Sequence, residues 1–553
     1  MSLLKLPTEL LQMVIADCRP DGVEALVQTC KEIYEAADRS ILHEHRFYKR
    51  EYTNLLEIIS FYMRAKPGEK GYLGPNVKLY EPGEVTLALL DEPLAGQYIK
   101  LLELASSSED TFDMVEAETG GFEDIPGRER LLPLIESSNY IKAAEQYSLS
   151  YQLPTFLGEN RDMPDFGTSY SKKHAWIWRT GIMKGNRDAA AGLLLALAPN
   201  LRHLRYSFPN PKQSWYIGPV LQAAAAEGNK SGILSKLETV KIGNLSPFQI
   251  QELCPFLALP SIKNLEVMGV TGWADIDDEQ YVWKYGNRTS SVEKVDVYDG
   301  DADFYTIGRF LQPLRKLRVF HWSHGCVCPN GCADWDGNAF VQAIAMTVGW
   351  HLQELGLTFT HATQCVSTTG IDHFLSFQTL KYLELDLQLL LGKLNLKRNE
   401  DTTSEERWTL RRPRPQQSSH LHHMPRLTDV LPPSIERLRL WVSKHVLKPE
   451  RMLQHITQLC NLKHITIVYY IPEEHYTRDG PPEPFPPLPA HQFHSIAKDL
   501  EPFGVNLDVA GSRGPPGLWR RNCSPDSDHL YTPAEMLPPG MEYLDVDVNV
   551  GPV

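Results

Sequence analysis

At least nine times between residues 201 and 467 the chain repeats one apolar pattern, two apolar residues separated by a single position and preceded, three residues earlier, by a third. It reads Leu201-x-x-Leu204-x-Tyr206, Leu234-x-x-Leu237-x-x-Val240-x-Ile242, Ile262-x-x-Leu265-x-Val267, Val292-x-x-Val295-x-Val297 and Leu314-x-x-Leu317-x-Val319. It continues with Leu352-x-x-Leu355-x-Leu357, Leu380-x-x-Leu383-x-Leu385, Ile435-x-x-Leu438-x-Leu440 and Leu462-x-x-Ile465-x-Ile467. A two-residue period sends both side chains to one face of a short strand, and the residue three back packs where the chain enters it. Successive central residues lie 22 to 55 positions apart, the spacing of stacked repeats with insertions.

Helical patterns precede many of these strands, over 247–259, 304–314, 339–348, 370–375 and 449–459. Strand after helix at each step demands parallel strands with crossover helices, because parallel neighbours cannot be joined by a tight turn. The expected class is α/β, a solenoid of stacked repeats, and such an array explains how 553 residues fold without one very large core. A single large closed α/β domain is the alternative architecture.

The N-terminus is patterned differently. Leu6-Pro7-x-Glu9-Leu10-Leu11 with Val14-Ile15 reads as a first helix, Pro7 in its first turn and Glu9 at the positive end of its dipole. Asp21, with Glu24 three residues on, reads as a capping box for a second helix carrying Leu26, Val27 and Cys30, and Ile33, Tyr34, Ala37 and Ile41 as a third. With Cys30-Lys31-x-Ile33-Tyr34 this block, residues 3–45, resembles an F-box, although the tryptophan often found after the Cys-Lys segment is replaced here by Phe47 or Tyr48. The resemblance implies docking of Leu6, Pro7, Leu10, Leu11, Val14, Leu26, Val27, Cys30 and Tyr34 onto a Skp adaptor, and through it onto a cullin-RING ubiquitin ligase.

Together the two parts resemble F-box proteins with irregular leucine-rich repeats of the kind common in fungal members; the asparagine of the stricter repeat consensus is missing from most repeats here. The implied organisation is an F-box-like module at 1–48, a helical linker region with early irregular repeats at 49–200, and a leucine-rich-repeat-like solenoid at 201–553. The implied function is substrate recognition in an SCF-type ligase, the chain itself non-catalytic; a scaffold without ligase activity and an enzyme with an unrecognised site are the alternatives. In stacked repeats the residues between and after each inward pair form an exposed face, and Met268, Tyr298, Arg318, Phe320 and Trp441 there make an aromatic and basic stripe suited to holding an unknown protein substrate.

Composition narrows the partners. A net charge of -14 opposes nucleic-acid binding, with twelve acidic residues against Lys100 alone between 81 and 124. Mean hydropathy is -0.31 and no apolar run approaches the ~20 residues of a membrane span, so no membrane partner is expected. Nine scattered cysteines fit reduced thiols in the cytoplasm or nucleus.

There is no Gly-x-Ser-x-Gly, phosphate-loop, dinucleotide or His-Glu-x-x-His motif, and no cofactor is expected. His321-x-x-His324-x-Cys326-x-Cys328-x-x-x-Cys332 has donors for zinc at irregular spacing and is read as a loop with free thiols, without metal. Asp299-Gly300-Asp301-Ala302-Asp303 lacks a calcium loop's length and closing Glu and is read as an acidic turn. Residues 395–433, with an Arg-Pro run and three histidines, read as a mobile insertion, and 480–489 as a Pro-rich linker. Met541-x-x-Leu544-x-Val546 reads as a closing strand.

Overall fold

The computed structural model describes residues 3–37, 39–56, 85, 89, 93–105, 187–207, 217–225, 232–243, 248–273, 281–325, 335–359, 370–391, 426–443, 453, 455–470 and 496–512. It is a mixed α/β protein built on parallel strands. Two compact units are present, Met1–Ser246 with Glu252–Leu265, and Pro247–Gln251 with Glu266–Val553.

The first unit opens with four helices, α1 (Thr8–Asp17), α2 (Val23–Val27), α3 (Lys31–Ala36) and α4 (Arg39–Tyr52). Leu11 and Ile15, four apart on one face of α1, meet Val23, Ile33 and Ala37 in a small core, with Leu26, Val27, Cys30 and Ile41 packed around it. Three local expectations are corrected. Pro7 is the cap preceding α1 rather than a residue of its first turn. Gly22, not Asp21, caps α2, and no side chain bonds there: Asp21 pairs instead with Lys100 at 2.5 Å, and both oxygens of Glu24 take Lys49 Nζ at 2.9 Å. The chain turns extended at Ala37, so the expected third helix is two, and α4 runs past residue 48.

Four strands follow in this unit, β1 (Asn54–Leu56), β2 (Leu101–Ala105), β3 (His203–Ser207) and β4 (Thr239–Ile242), all parallel. Leu102, Leu204 and Val240 are partners across the ladder, so the central apolar residues stack in one buried row. In the Ala- and Leu-rich helices Arg187–Leu197 and Ile217–Ala225, Ala190, Leu193, Leu194, Val220 and Leu221 are buried.

The remaining strands are β5 (Phe248–Gln249), β6 (Asn264–Met268), β7 (Val270–Gly272), β8 (Lys294–Ala302), β9 (Val319–His324), β10 (Glu354–Phe359), β11 (Tyr382–Asp386), β12 (Arg437–Ser443), β13 (His464–Tyr470) and β14 (Asn506–Ser512). The second unit orders β8 to β14 as a parallel ladder, in which Val295, Phe320, Leu355, Leu383, Leu438, Ile465 and Leu507 are successive partners. That register shifts one repeat: the triplet around β9 is Leu317-x-x-Phe320-x-Trp322, three residues later than the pattern Leu314-x-x-Leu317-x-Val319. Three strands outside the nine triplets, β1, β2 and β14, extend the ladders; in β14 the first apolar position is taken by Gly504, which has φ +69° and turns the chain into the strand.

Two devices join neighbouring repeats. At nine strand entrances one carbonyl accepts two successive N–H groups from the next repeat: in the first unit Thr53, Lys100, Arg202 and Glu238, in the second Glu293, Arg318, Gln353, Lys381 and Glu436, all at 2.8–3.2 Å. A short polar side chain just ahead of the apolar triplet then bonds the carbonyl of the preceding repeat, as Ser261 does to Leu237 (2.8 Å), Thr379 to Leu352 (2.9 Å) and Ser434 to Leu380 (2.8 Å). Each bond is worth about 1 kcal/mol.

The expected helices over 304–314 and 339–348 are observed as Phe304–Leu311 and Gly337–Val348. Each begins on an aspartate whose side chain takes a backbone N–H, Asp303 from Thr306 at 2.7 Å and Asp336 from Ala339 at 2.9 Å. Residues 370–375 are not helical, and among the described part of 449–459 only the 3₁₀ turn Ile456–Gln458 forms. Within 395–433 the stretch 426–433 is folded, with Leu427 and Val430 of the helix Leu427–Val430 buried, which corrects the reading of a loop throughout. Residues 395–425, 480–489 and 541–546 lie outside the described residues. No helix among the described residues is long and apolar enough to cross a membrane.

Candidate functional site

On the N-terminal helices the expected docking residues divide by exposure. Leu10 is 47% exposed and Tyr34 55%, Pro7 is also exposed, and Leu6 and Val14 are half-buried. Leu11, at 5%, belongs to the block's own core and has no side chain to offer a partner, a correction; Leu26, Val27 and Cys30 pack partly against that core. Met13, 61% exposed and one turn from Leu10, was not among the expected residues, nor were the exposed Leu3 and Leu4. The signal was there: positions 10, 13 and 14 share a helix face, and the core takes only 11 and 15.

The block is tied to the strands of its own unit by polar contacts. His45 of α4 is buried, with Nδ1 3.0 Å from the Tyr98 hydroxyl and Nε2 3.6 Å from Glu24 Oε1. Burial holds the imidazole below its ordinary range, with Glu24 opposing, and pushes Tyr98 up to about 12. Tyr98 therefore keeps its proton beside the neutral ring. Asp21–Lys100 and Arg19–Glu44 (3.3 Å) flank this contact.

The strand face of the second unit differs from the expected aromatic stripe. Phe320 is 0% exposed because the register makes it an inward residue; Tyr298 and Trp441 are also buried, and the expectation that these three line an open surface is corrected. Arg318 is exposed and Met268 half-exposed. Trp441 donates its indole N–H to Glu384 Oε1 at 2.7 Å, and the Tyr382 hydroxyl donates to Oε2 at 3.1 Å, so a buried carboxylate is held by two donors.

Along the row between the inward residues, Asp296 takes His321 Nδ1 at 2.6 Å and Lys294 at 2.9 Å, and Asp508 takes His464 at 3.0 Å. Arg437 lies over the Tyr382 ring at 5.3 Å. In this row Arg437 and Asp508 are exposed, and Arg318 is exposed just ahead of β9.

Of the His/Cys cluster, His321 is bound to Asp296, while His324 is buried in a stack on Trp335, ring centres 4.2 Å apart, and burial pushes its pKa down to about 3. Cys326, Cys328 and Cys332 lie outside the described residues. The expected acidic turn is corrected: residues 299–302 are the end of strand β8, where Asp301 accepts from the Trp273 indole at 2.9 Å, and Asp303 caps a helix. Among the described residues no group of three His, Cys, Asp or Glu side chains is arranged to hold a metal ion.

No family model matches the chain, and no curated protein matches it.

Proposed function

We propose that this chain is the substrate-recognition subunit of an SCF-type cullin-RING ubiquitin ligase, its N-terminal helices an F-box that docks a Skp adaptor and its strand ladders an irregular leucine-rich-repeat solenoid that binds a target protein. One observation carries the reading: a helical block whose own core is five residues keeps Leu10 and Met13 open on one face of α1. A unit so small buries little apolar surface by itself, and apolar residues it leaves in water are gained back by docking. A standard interface of about 1,600 Å² is within its reach.

On this reading the chain carries no reacting group. It raises the effective concentration of target lysines near the transferring enzyme, and the partners supply the chemistry. Target binding falls to the exposed positions of the second unit's strand face, Arg437 and Asp508 with half-exposed Met268, and to Arg318 just ahead of β9, in place of the buried aromatics. Work in the cytoplasm or nucleus follows from the partners.

The test is a pull-down of the purified full chain with recombinant Skp adaptor, alongside Leu10→Asp and a chain lacking residues 1–45. Binding by the full chain that both variants lose supports the reading; no binding by the folded full chain overturns it. Adaptor binding without dependent ubiquitylation in cells turns the assignment to a scaffold.

A further inference from the structure

On β11 and β12 a chain of contacts runs from a buried carboxylate to an exposed cation. Glu384, buried, takes the Trp441 indole N–H at 2.7 Å and the Tyr382 hydroxyl at 3.1 Å, which fixes the tyrosine ring. Arg437, the partner of Tyr382 in the parallel pair, lays its guanidinium over that ring at 5.3 Å while its side chain stays 59% exposed. Its one ion-pair partner among the described residues, Glu354 Oε1, stands at 3.9 Å, beyond hydrogen-bond reach. A guanidinium seated on an aromatic ring has already lost much of its freedom, so its fork of N–H donors is pre-set for a carboxylate at little further cost in entropy.

The edge around Arg437 has the opposite sign to the whole chain. From four residues ahead of each strand to its first residue, β9 to β13 carry Arg315, Lys316, Arg318, Lys381, Arg437 and Lys463 against Glu354 and Glu436, in a chain of net charge -14. Arg315, Lys316 and Arg318 are exposed and have no ion pair among the described residues. Lys381 and Lys463, also exposed, share the single carboxylate of Glu436, at 3.1 and 2.8 Å.

We propose, resting on the reading of this strand face as the target-binding surface, that the edge holds an acidic segment of the target protein, Arg437 taking one of its Asp or Glu carboxylates and Arg318 another. Neighbouring strands lie about 4.8 Å apart, so the three steps from β9 to β12 cover about 14 Å, a span that about four extended residues bridge. One short peptide therefore reaches both arginines. A nucleic acid is the poorer occupant, because the net charge of -14 repels a long polyphosphate whereas a short peptide meets the local sign. Glu384 acts on the target only through Tyr382, as a positioning residue.

The probe is fluorescein-labelled octaglutamate, titrated against the purified full chain by fluorescence anisotropy beside octalysine and an oligothymidylate of the same length. Octaglutamate is expected to bind, more weakly as salt is raised, and the other two are not. Arg437→Ala and Arg318→Glu should each weaken it about tenfold, Arg437→Lys by less, and Tyr382→Phe, which keeps the ring, by less than Tyr382→Ala. No binding of octaglutamate by the folded chain overturns the proposal, as does affinity unchanged in Arg437→Ala or tighter binding of the oligothymidylate. Should Arg437→Ala fail to fold, Arg318→Glu decides, and unchanged affinity there overturns the proposal. The ligase reading fails separately: its failure abolishes adaptor capture and leaves octaglutamate binding intact, and failure of an acidic target does the reverse.

Discussion

His45 and Tyr98, 53 positions apart in the chain, share a buried 3.0 Å hydrogen bond that joins the last N-terminal helix to the entrance of β2. The ring is held neutral by burial, with Lys49 and Arg19 also disfavouring its charge and Glu24 favouring it; Glu44, the residue before it, pairs with Arg19.

This contact weakens in mild acid. As pH falls, the imidazole of an unfolded chain takes its proton near the ordinary value of about 6.5, before the buried one does, so the attachment of α4 loses stability below that pH. Asp21 and Glu24, both held low first by their lysine partners, keep their contribution until the ordinary carboxylate range near 4 is reached. Thermal melting between pH 7.5 and 5 should show the loss, and His45→Gln should flatten it; a slope that survives the substitution places the titrating group elsewhere.

Leu10 and Leu11 are neighbours with opposite roles. Leu10→Asp leaves stability within about 0.5 kcal/mol, since the side chain is exposed, and on the proposed reading abolishes adaptor capture. Leu11→Asp puts a charge into the five-residue core and unfolds the block. Helicity of the two variants, measured beside capture, separates a lost contact from a lost fold.

Phe320 is a core residue, and its removal should read as a stability defect. Phe320→Ala is expected to cost about 3–5 kcal/mol, while Arg318→Ala costs less than about 0.5. Denaturant unfolding of the second unit checks this; a near-neutral Phe320→Ala would contradict the register Val295–Phe320–Leu355.

Glu384 and Trp441 form a coupled pair. Truncating Glu384 to Ala strands the indole N–H in a buried place, at a cost of about 1–3 kcal/mol, and much less once Trp441 is already Phe. A double-mutant cycle should return a coupling above about 0.5 kcal/mol, and additive effects would refute it.

Apolar spacing made the strands and their parallel order legible, because a two-residue period with a turn three residues earlier has few other meanings. It failed where the pattern is degenerate: Leu314, Leu317 and Phe320 are all apolar at three-residue steps, and only cross-strand pairing with Leu355 chooses among them. From that single slip Phe320 was placed on the open face. Trp441 misled differently, since its position follows the inward pair but its indole reaches Glu384 under cover. Gly504 hid β14 by replacing an apolar residue with a backbone turn. On α1 the spacing showed an apolar stripe but not how it divides, which depends on what Val23 and Ile33 leave uncovered.

The forked carbonyls at the strand entrances engage no side chain. A repeat can therefore change almost any residue there, or acquire tens of residues between one strand and the next, and still close onto its neighbour with the same two bonds. Such a scaffold tolerates genetic drift in length and sequence, and the 55-residue step between Leu383 and Leu438, set beside the 27-residue step that follows, is how that tolerance is written in this chain.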